Sequence, residues 1–133
     1  MKNFIIHLGL ATLITHELDA MAQAEWRLLF VLRHLPDDVA ASVFILLHVP
    51  LLAGLIQLTH CKFPLIQEGS RVGLSIFFMV HAGLHHHLRH HPAYTFTSPL
   101  SLSLIYGAAL LGCLYVATTV VSFFLSKQTI ATS

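Results

Sequence analysis

The chain has 133 residues, of which 56% are hydrophobic and 10% are charged, and its formal net charge is +1 with the histidines neutral. About a quarter of the residues of an average soluble protein are charged, so this composition indicates an integral membrane protein. It argues against a nucleic-acid partner, because only seven lysines and arginines are scattered over the chain. The two cysteines, Cys61 and Cys113, form no CxxC motif.

Four apolar segments reach the roughly 20 residues that a helix needs to cross a hydrocarbon core of about 30 Å. They cover about residues 3–29, 38–59, 68–91 and 99–125. Prolines and turn-forming residues separate them, and short connections place neighbouring helices antiparallel. We therefore predict an all-α fold, an integral membrane antiparallel four-helix bundle that forms a single domain over residues 1–133.

We expect membrane lipids to surround such a bundle. We expect a multi-pass protein of the bacterial inner membrane. A bundle this small has little interior, so we also expect a homo-oligomer. Ala108 and Gly112 on the fourth helix have the spacing that lets two helices approach closely, and they are the candidate contact surface.

The third segment ends in "HAGLHHHLRHH", which places seven histidines in residues 81–91. His81 and His85 are four residues apart and share one helix face, which is the usual geometry of helical metal ligation. His86, His87, His90 and His91 come later, beside Arg89 and Pro92, where an interfacial patch that contacts lipid head groups explains them better.

The first segment carries "THELDAMAQAEWR". His16 and Asp19 lie on one polar stripe of the helix, whereas Glu17 points about 100° away from His16. A charged group inside a bilayer costs at least about 2.5 to 3.5 kcal/mol, so these acids need partners or ligands. Glu25 lies nearly opposite His16 and is interpreted, with Trp26, as the interfacial end of the helix.

The second segment adds a histidine, His48, two residues before Pro50. Imidazoles and carboxylates on facing helices are the donors that zinc and non-haem iron require. The predicted metal ligands are His16, Asp19, His48, His81 and His85. Glu17 is the predicted catalytic acid or base, next to a metal whose bound water ionises near pH 7.

Two resemblances accompany these motifs. The pattern His81-x-x-x-His85-His86 is similar to one histidine box of the membrane di-iron desaturases and hydroxylases, whose other boxes are missing here. The layout of the chain, with "HELD" followed by "EWR" on the first helix, resembles small four-helix membrane families such as the HXXEE-domain proteins. That resemblance implies a four-helix fold with functional polar residues and does not name a substrate.

Three functions fit these residues. The first is a membrane metal-binding protein, with zinc or non-haem iron, that acts as a hydrolase or oxidase on a lipid-like small molecule. The second is an electron-transfer bundle in which His16 or His48 faces His81 or His85 across haem b. The third is a proton or cation pathway lined by the same side chains.

Overall fold

The computed structural model describes the backbone of residues 1–131 and the side chains of residues 1–128. This part of the chain contains four α-helices and no strand, which confirms the predicted all-α fold. The helices are α1 (Lys2–Ala22), α2 (Asp37–Thr59), α3 (Pro64–Leu88) and α4 (Pro99–Ala131). Two short 3-10 turns, Glu25–Arg27 and Leu32–His34, connect α1 to α2.

Side-chain contacts define the direction of each helix. Lys2 at the start of α1 contacts Glu68 at the start of α3, so these two helices run parallel. Tyr115 in the second half of α4 also contacts Glu68, so α4 runs antiparallel to α3. Glu17 contacts His48, and Arg71 contacts Thr59, which makes α2 antiparallel to both α1 and α3. Neighbouring helices along the chain are therefore antiparallel, as predicted.

Three of the helices, α1, α2 and α4, are long and apolar enough to cross a membrane. Large apolar side chains of α2 and α4 point outward, among them Leu46, Val49, Leu110 and Phe124. Helix α3 packs extensively against α4. It carries Glu68, Arg71 and the histidines at positions 81, 85, 86 and 87. Arg71 and His85 are the buried charged and titratable side chains of α3 among the described residues.

Close packing of α3 against α4 depends on glycine. A Cβ atom on Gly112 would lie 2.5 Å from the carbonyl oxygen of Ser75, so only glycine lets these backbones approach this closely. Ala108, one turn earlier, is buried in the core of the same chain. Ala108 and Gly112 are therefore an internal contact, and the expectation that they form a homo-oligomer surface is wrong. Self-association itself stays a prediction.

The first helix ends at Ala22, well before the expected residue 29. Ala24 takes a left-handed conformation, with φ 54° and ψ 48°, which an α-helix cannot continue. The following turn is tied to α2, because Trp26 Nε1 and Arg27 Nε both donate hydrogen bonds to Asp37 Oδ1, at 2.9 and 2.8 Å. The chain consequently reverses at Ala24, and Glu25 folds back towards the bundle.

The third helix starts earlier and ends earlier than expected. It begins at Pro64, because proline is tolerated in the first turn of a helix, and it ends at Leu88. His90 and His91 therefore follow the helix and do not continue its face. Residues 89–98 then cross the end of the bundle, and the fully buried ring of Phe96 enters the core there.

Candidate metal centre

Four side chains converge near the end of the bundle where α1 and α3 finish. His16 comes from α1, Glu25 from the 3-10 turn, and His81 and His85 from α3. Each offers one ligand atom, and these four atoms all lie within 4.8 Å of one another. We call this cluster the histidine centre. It lies about two helical turns from the end of α1, because His16 is six residues from Ala22 and each residue rises about 1.5 Å.

Individual distances show how tightly the donors face one another. The Nε2 atoms of His16 and His81 are 2.9 Å apart. Glu25 Oε2 lies 3.7 Å from His16 Nε2, and Glu25 Oε1 lies 3.9 Å from His85 Nε2. All three imidazoles and the carboxylate thus present their outer atoms to one shared point.

Helix geometry explains the histidine part of the cluster. His81 and His85 are one turn apart on α3, with ring centroids 4.6 Å apart. The ring of His16, 1% exposed, meets both rings edge-on, at centroid distances of 4.9 and 5.2 Å. Phe96 packs against His85 at 4.7 Å and closes the cluster on the side of the loop after α3. The rings are therefore held by packing from three segments.

The carboxylate of the centre is Glu25, which sequence analysis interpreted as the interfacial end of a helix. Its side chain is only 12% exposed, because the reversal at Ala24 turns it inward. Burial, and then the nearby charges of Glu17 and Asp19, raise the pKa of the Glu25 carboxyl to about 8. A bound cation would oppose these effects, because it favours the ionised carboxylate.

The hydrogen-bonding capacity of the centre is not used up within the described residues. Glu25 Oε2 and His16 Nδ1 are buried there without a hydrogen-bond partner. Glu25 Oε2 faces His16 Nε2 at 3.7 Å, whereas Nδ1 is the other nitrogen of that ring and is not part of the cluster. Buried polar atoms in proteins are normally paired, so the unpaired carboxyl oxygen needs an explanation. A positive ion between Glu25 and the Nε2 atom of His16 supplies one. Three imidazole nitrogens and one carboxylate oxygen also form a donor set that suits zinc and iron.

The structure brings together three of the five predicted ligands, His16, His81 and His85. It does not place Asp19 among them: Asp19 Oδ1 is 3.4 Å from Gln23 Nε2, and Oδ2 is buried without a partner in the described part of the chain. Asp19 is nevertheless close enough for its charge to act on Glu25. Asp19 therefore lies near the histidine centre but is not one of its four donors.

His48 and Glu17 form a separate pair. Glu17 Oε2 is 2.7 Å from His48 Nε2, while His48 Nδ1 donates to the carbonyl oxygen of Phe44 at 2.6 Å. Because Nδ1 is used as a donor, the Glu17 and His48 side chains share one proton between oxygen and Nε2. His48 is thus occupied by Glu17, which explains why it does not join the histidine centre.

Two aromatic residues of the loop after α3 contribute to the centre and were missed in the sequence. Phe96 covers the imidazoles, and the Tyr94 hydroxyl lies 3.3 Å from His85 Nδ1. A partner on this second ring nitrogen fixes the orientation of a metal-binding histidine. The available signal was the pair of aromatic residues in "HHPAYTFTSP", a connection that otherwise holds turn-forming residues.

A small cavity adjoins the centre. Its volume is about 90 Å³, and Glu25, His81 and His85 line it together with Leu28, Leu29, Leu84 and Leu88. A volume of about 30 Å³ per water molecule gives room for about three waters or one small group. The donors of the centre are therefore reachable from one side, through a mouth made of leucines.

The remaining histidines of the cluster at the end of α3 lie outside the centre. His86 is exposed, with Arg89 Nη1 at 3.4 Å and the Tyr106 hydroxyl at 3.5 Å from its Nδ1. Arg89 Nε donates to His90 Nε2 at 3.0 Å. These contacts are on the surface, as an interfacial patch requires.

The chain was compared with models of known protein families. The model of DUF6713, a family of unknown function, matches residues 2–122. The chain belongs to this family. The matched region includes all four donors of the histidine centre and the Glu17–His48 pair. No curated protein and no solved structure is significantly similar to the chain. The similarities to HXXEE-domain proteins and to a desaturase histidine box stay predictions.

Proposed function

We propose that this protein is an integral membrane metal-binding protein whose ion is held by the histidine centre. The observation that carries the proposal is the convergence of His16, Glu25, His81 and His85. With metal–nitrogen bonds of about 2.0–2.1 Å, neighbouring ligand atoms of a tetrahedral ion are about 3.3 Å apart. The separations of 2.9, 3.7 and 3.9 Å bracket this value, so small side-chain rotations suffice to bind an ion.

The donor chemistry favours zinc or non-haem iron. Both ions accept neutral imidazole and carboxylate ligands, whereas magnesium and calcium prefer oxygen ligands alone. His85 has Tyr94 as a partner on its other ring nitrogen, which matches the outer contacts that orient metal-binding histidines. Elemental analysis of the purified protein distinguishes zinc from iron.

The cavity beside the centre supports a catalytic role, as a hydrolase or an oxidase. A bound ion supplies Lewis-acid chemistry and lowers the pKa of a water molecule bound to it. The protein contributes orientation through Tyr94, and Phe96 shields the imidazoles from solvent. Leucines line the mouth of the cavity, so a lipid-like substrate fits it better than a polar solute. Glu17 does not line this cavity, which leaves Glu25 as its carboxyl group.

A haem group has less support from the geometry. Two axial histidines must lie on opposite faces of a porphyrin, but the Nε2 atoms of His16 and His81 face each other at 2.9 Å. His48, the other candidate axial ligand, is bonded to Glu17. An absorption spectrum of the purified protein tests haem directly, since haem b gives a Soret band.

A proton pathway is the second candidate function. It is favoured by the proton that Glu17 and His48 share, and by the electrostatic effect of Glu17 on Glu25. These groups form a series of titratable side chains that leads towards the histidine centre. Proton flux into liposomes that contain metal-free protein would support this function over the metal-dependent one.

The cellular setting is part of the same proposal. We place the protein in the bacterial inner membrane, as a multi-pass protein surrounded by lipid and assembled as a homo-oligomer. The exposed apolar side chains of α2 and α4 support contact with lipid or with a second copy. Crosslinking in native membranes tests the assembly.

The decisive experiment is the metal content of the purified protein after expression with zinc and iron supplied. We expect about one ion per chain in the wild type, since the four donors form a single centre. The variants H16A, E25Q, H81A and H85A should lose it. His86→Ala is the matched control, because His86 lies on the same helix and is exposed. A wild-type protein without zinc or iron, or ion content unchanged in all four variants, would overturn the proposal.

A further inference from the structure

A larger cavity lies between α1, α2 and α3, and the histidine centre does not use it. Its volume is about 280 Å³, near the lower end of the roughly 300–1,000 Å³ that small-molecule sites occupy. Five apolar side chains line it, with Gly73 and the carboxyl of Glu17: Leu13, Leu51, Leu55, Leu74 and Phe77. The wall of this cavity is thus apolar except for the carboxyl group of Glu17.

The rim of this cavity faces outward. Leu51 is 50% exposed and Phe77 is 43% exposed, and both belong to the lining. Leu51 lies on α2, a helix long and apolar enough to cross a membrane and mostly exposed along its length. In a bilayer this rim meets acyl chains and not water. An acyl chain can therefore enter the cavity sideways without crossing a polar surface.

Glu17 gives the cavity a polar end. One of its oxygens, Oε2, is bonded to His48, and His48 is anchored to the Phe44 carbonyl, so the carboxyl group is held in place. The other oxygen, Oε1, has no hydrogen-bond partner among the described side chains of residues 1–128 or the described backbone. It is an acceptor for a donor group on a ligand that lies in the cavity.

We propose that this cavity binds the acyl chain of a single-chain amphiphile whose hydroxyl head group donates a hydrogen bond to Glu17 Oε1. The ligand class is a long-chain alcohol. A fatty acid of the same length binds more weakly, because a carboxylate head group only accepts hydrogen bonds and offers no donor to Oε1. The binding of this amphiphile does not depend on the proposed function of the histidine centre.

The test is photoaffinity labelling in lipid nanodiscs with a dodecanol derivative that carries a diazirine on its chain. Mass spectrometry should find labels on Leu13, Leu51, Leu55 and Leu74. Unlabelled dodecanol should compete, and dodecanoate should need about tenfold more to compete, the factor that one hydrogen bond to a charged group accounts for. Labels only on residues that do not line the cavity, or no competition by dodecanol, would overturn the proposal.

Glycine substitutions provide a matched pair of variants. A Cβ atom on Gly73 would meet no other atom within 4 Å, so Gly73→Leu places its side chain in the cavity without a backbone clash. Gly83 lies on the same helix with equally open surroundings and does not line the cavity. G73L should reduce labelling about tenfold, since it displaces about two methylene groups of the chain, and G83L should leave it unchanged. Equal labelling of both variants would contradict the assignment of the cavity.

A second variant tests the head group. Glu17→Met keeps the length of the side chain and removes both the charge and the acceptor oxygen, so dodecanoate should compete almost as well as dodecanol. If the wild-type preference for the alcohol persists in E17M, Glu17 does not recognise the head group and that part of the proposal fails. Labelling is compared in metal-free and metal-loaded protein. Labelling that persists without metal supports the lipid site even if the metal centre is disproved, so the two proposals fail separately.

Discussion

The two ends of the bundle each hold a carboxyl group, partly buried in Glu68 and buried in Glu25, and they differ in how its oxygens are used. At one end, Glu68 accepts hydrogen bonds from Lys2 Nζ at 2.5 Å, from the Tyr115 hydroxyl at 2.9 Å and from the Thr119 hydroxyl at 3.3 Å. We call these four residues the Glu68 network. At the other end, Glu25 lies among three imidazoles and leaves Oε2 unpaired in the described structure.

This difference separates a structural polar cluster from a binding site. In the Glu68 network, three donors from α1 and α4 meet one acceptor group on α3, so the cluster is complete and holds three helices together. In the histidine centre, Glu25 Oε2 and His16 Nδ1 are buried without a hydrogen-bond partner in the described structure. Buried polar atoms are normally paired, so this end of the bundle has unused capacity for a proton or a metal ion. Composition alone does not distinguish the two ends, but the pairing of donors and acceptors does.

The largest expected effect is on metal affinity after loss of the Glu25 carboxylate. Glu25→Gln should weaken binding by more than about 100-fold, because loss of an outer contact to a ligand already costs about 10- to 100-fold. Competition with a chromophoric chelator measures the affinity. Glu68→Gln is the matched control and should bind the ion as tightly as the wild type. Equal affinities of E25Q and E68Q would remove the distinction between the two ends.

The Glu68 network should show the opposite pattern. Glu68→Ala leaves the hydroxyl of Tyr115, a residue with 0% exposure, without its acceptor. We expect the free energy of unfolding to fall by roughly 1–3 kcal/mol, the cost of a buried polar group without a partner, while metal affinity stays unchanged. Thermal unfolding in detergent measures the first quantity. Loss of the ion in E68A without loss of stability would show that this end also serves binding.

A smaller effect is expected from the hydroxyl of Tyr94. Tyr94→Phe keeps the ring that packs near His85 and removes the contact to His85 Nδ1. Metal affinity should fall about tenfold, at the lower end of the range for outer contacts, because the distance of 3.3 Å indicates a weak hydrogen bond. Tyr106→Phe is the control, since the Tyr106 hydroxyl is near the exposed His86. Equal affinities of both variants would show that Tyr94 does not orient His85.

Sequence periodicity predicted the helices and the histidine part of the centre. Hydropathy gave four helices, and the four-residue spacing of His81 and His85 predicted one shared face. The angular position of Glu17, about 100° from His16, agrees with its pairing to His48 on another helix. These features depend on regular helix geometry, which the sequence encodes locally.

The identity of the carboxylate could not be predicted in this way. A continuous helix through residue 29 places Glu25 opposite His16, whereas the reversal at Ala24 brings the two side chains together. An alanine gives little local signal for a left-handed residue, because glycine and asparagine are the usual choices there. The reversal is imposed by tertiary contacts of the turn with Asp37. Tyr94 and Phe96 likewise depend on a long-range contact, since Thr95 between them donates a hydrogen bond to the Gln23 carbonyl oxygen at 2.8 Å.

The smallest expected effects are those of substitutions at Ala24, the left-handed residue that precedes Glu25. Ala24 lies at the end of the bundle that holds the histidine centre, so these substitutions should affect that end and not the Glu68 network. Ala24→Gly should raise the free energy of unfolding by at most about 1 kcal/mol, since glycine adopts this conformation without steric cost but loses more entropy on folding. Ala24→Val should lower it by about 1–2 kcal/mol, because a branched side chain disfavours positive φ. Metal affinity should be kept in A24G and reduced in A24V, where Glu25 is held less firmly. If A24V lowers stability yet binds the ion as tightly as A24G, the reversal is needed for folding but not for the position of the carboxylate.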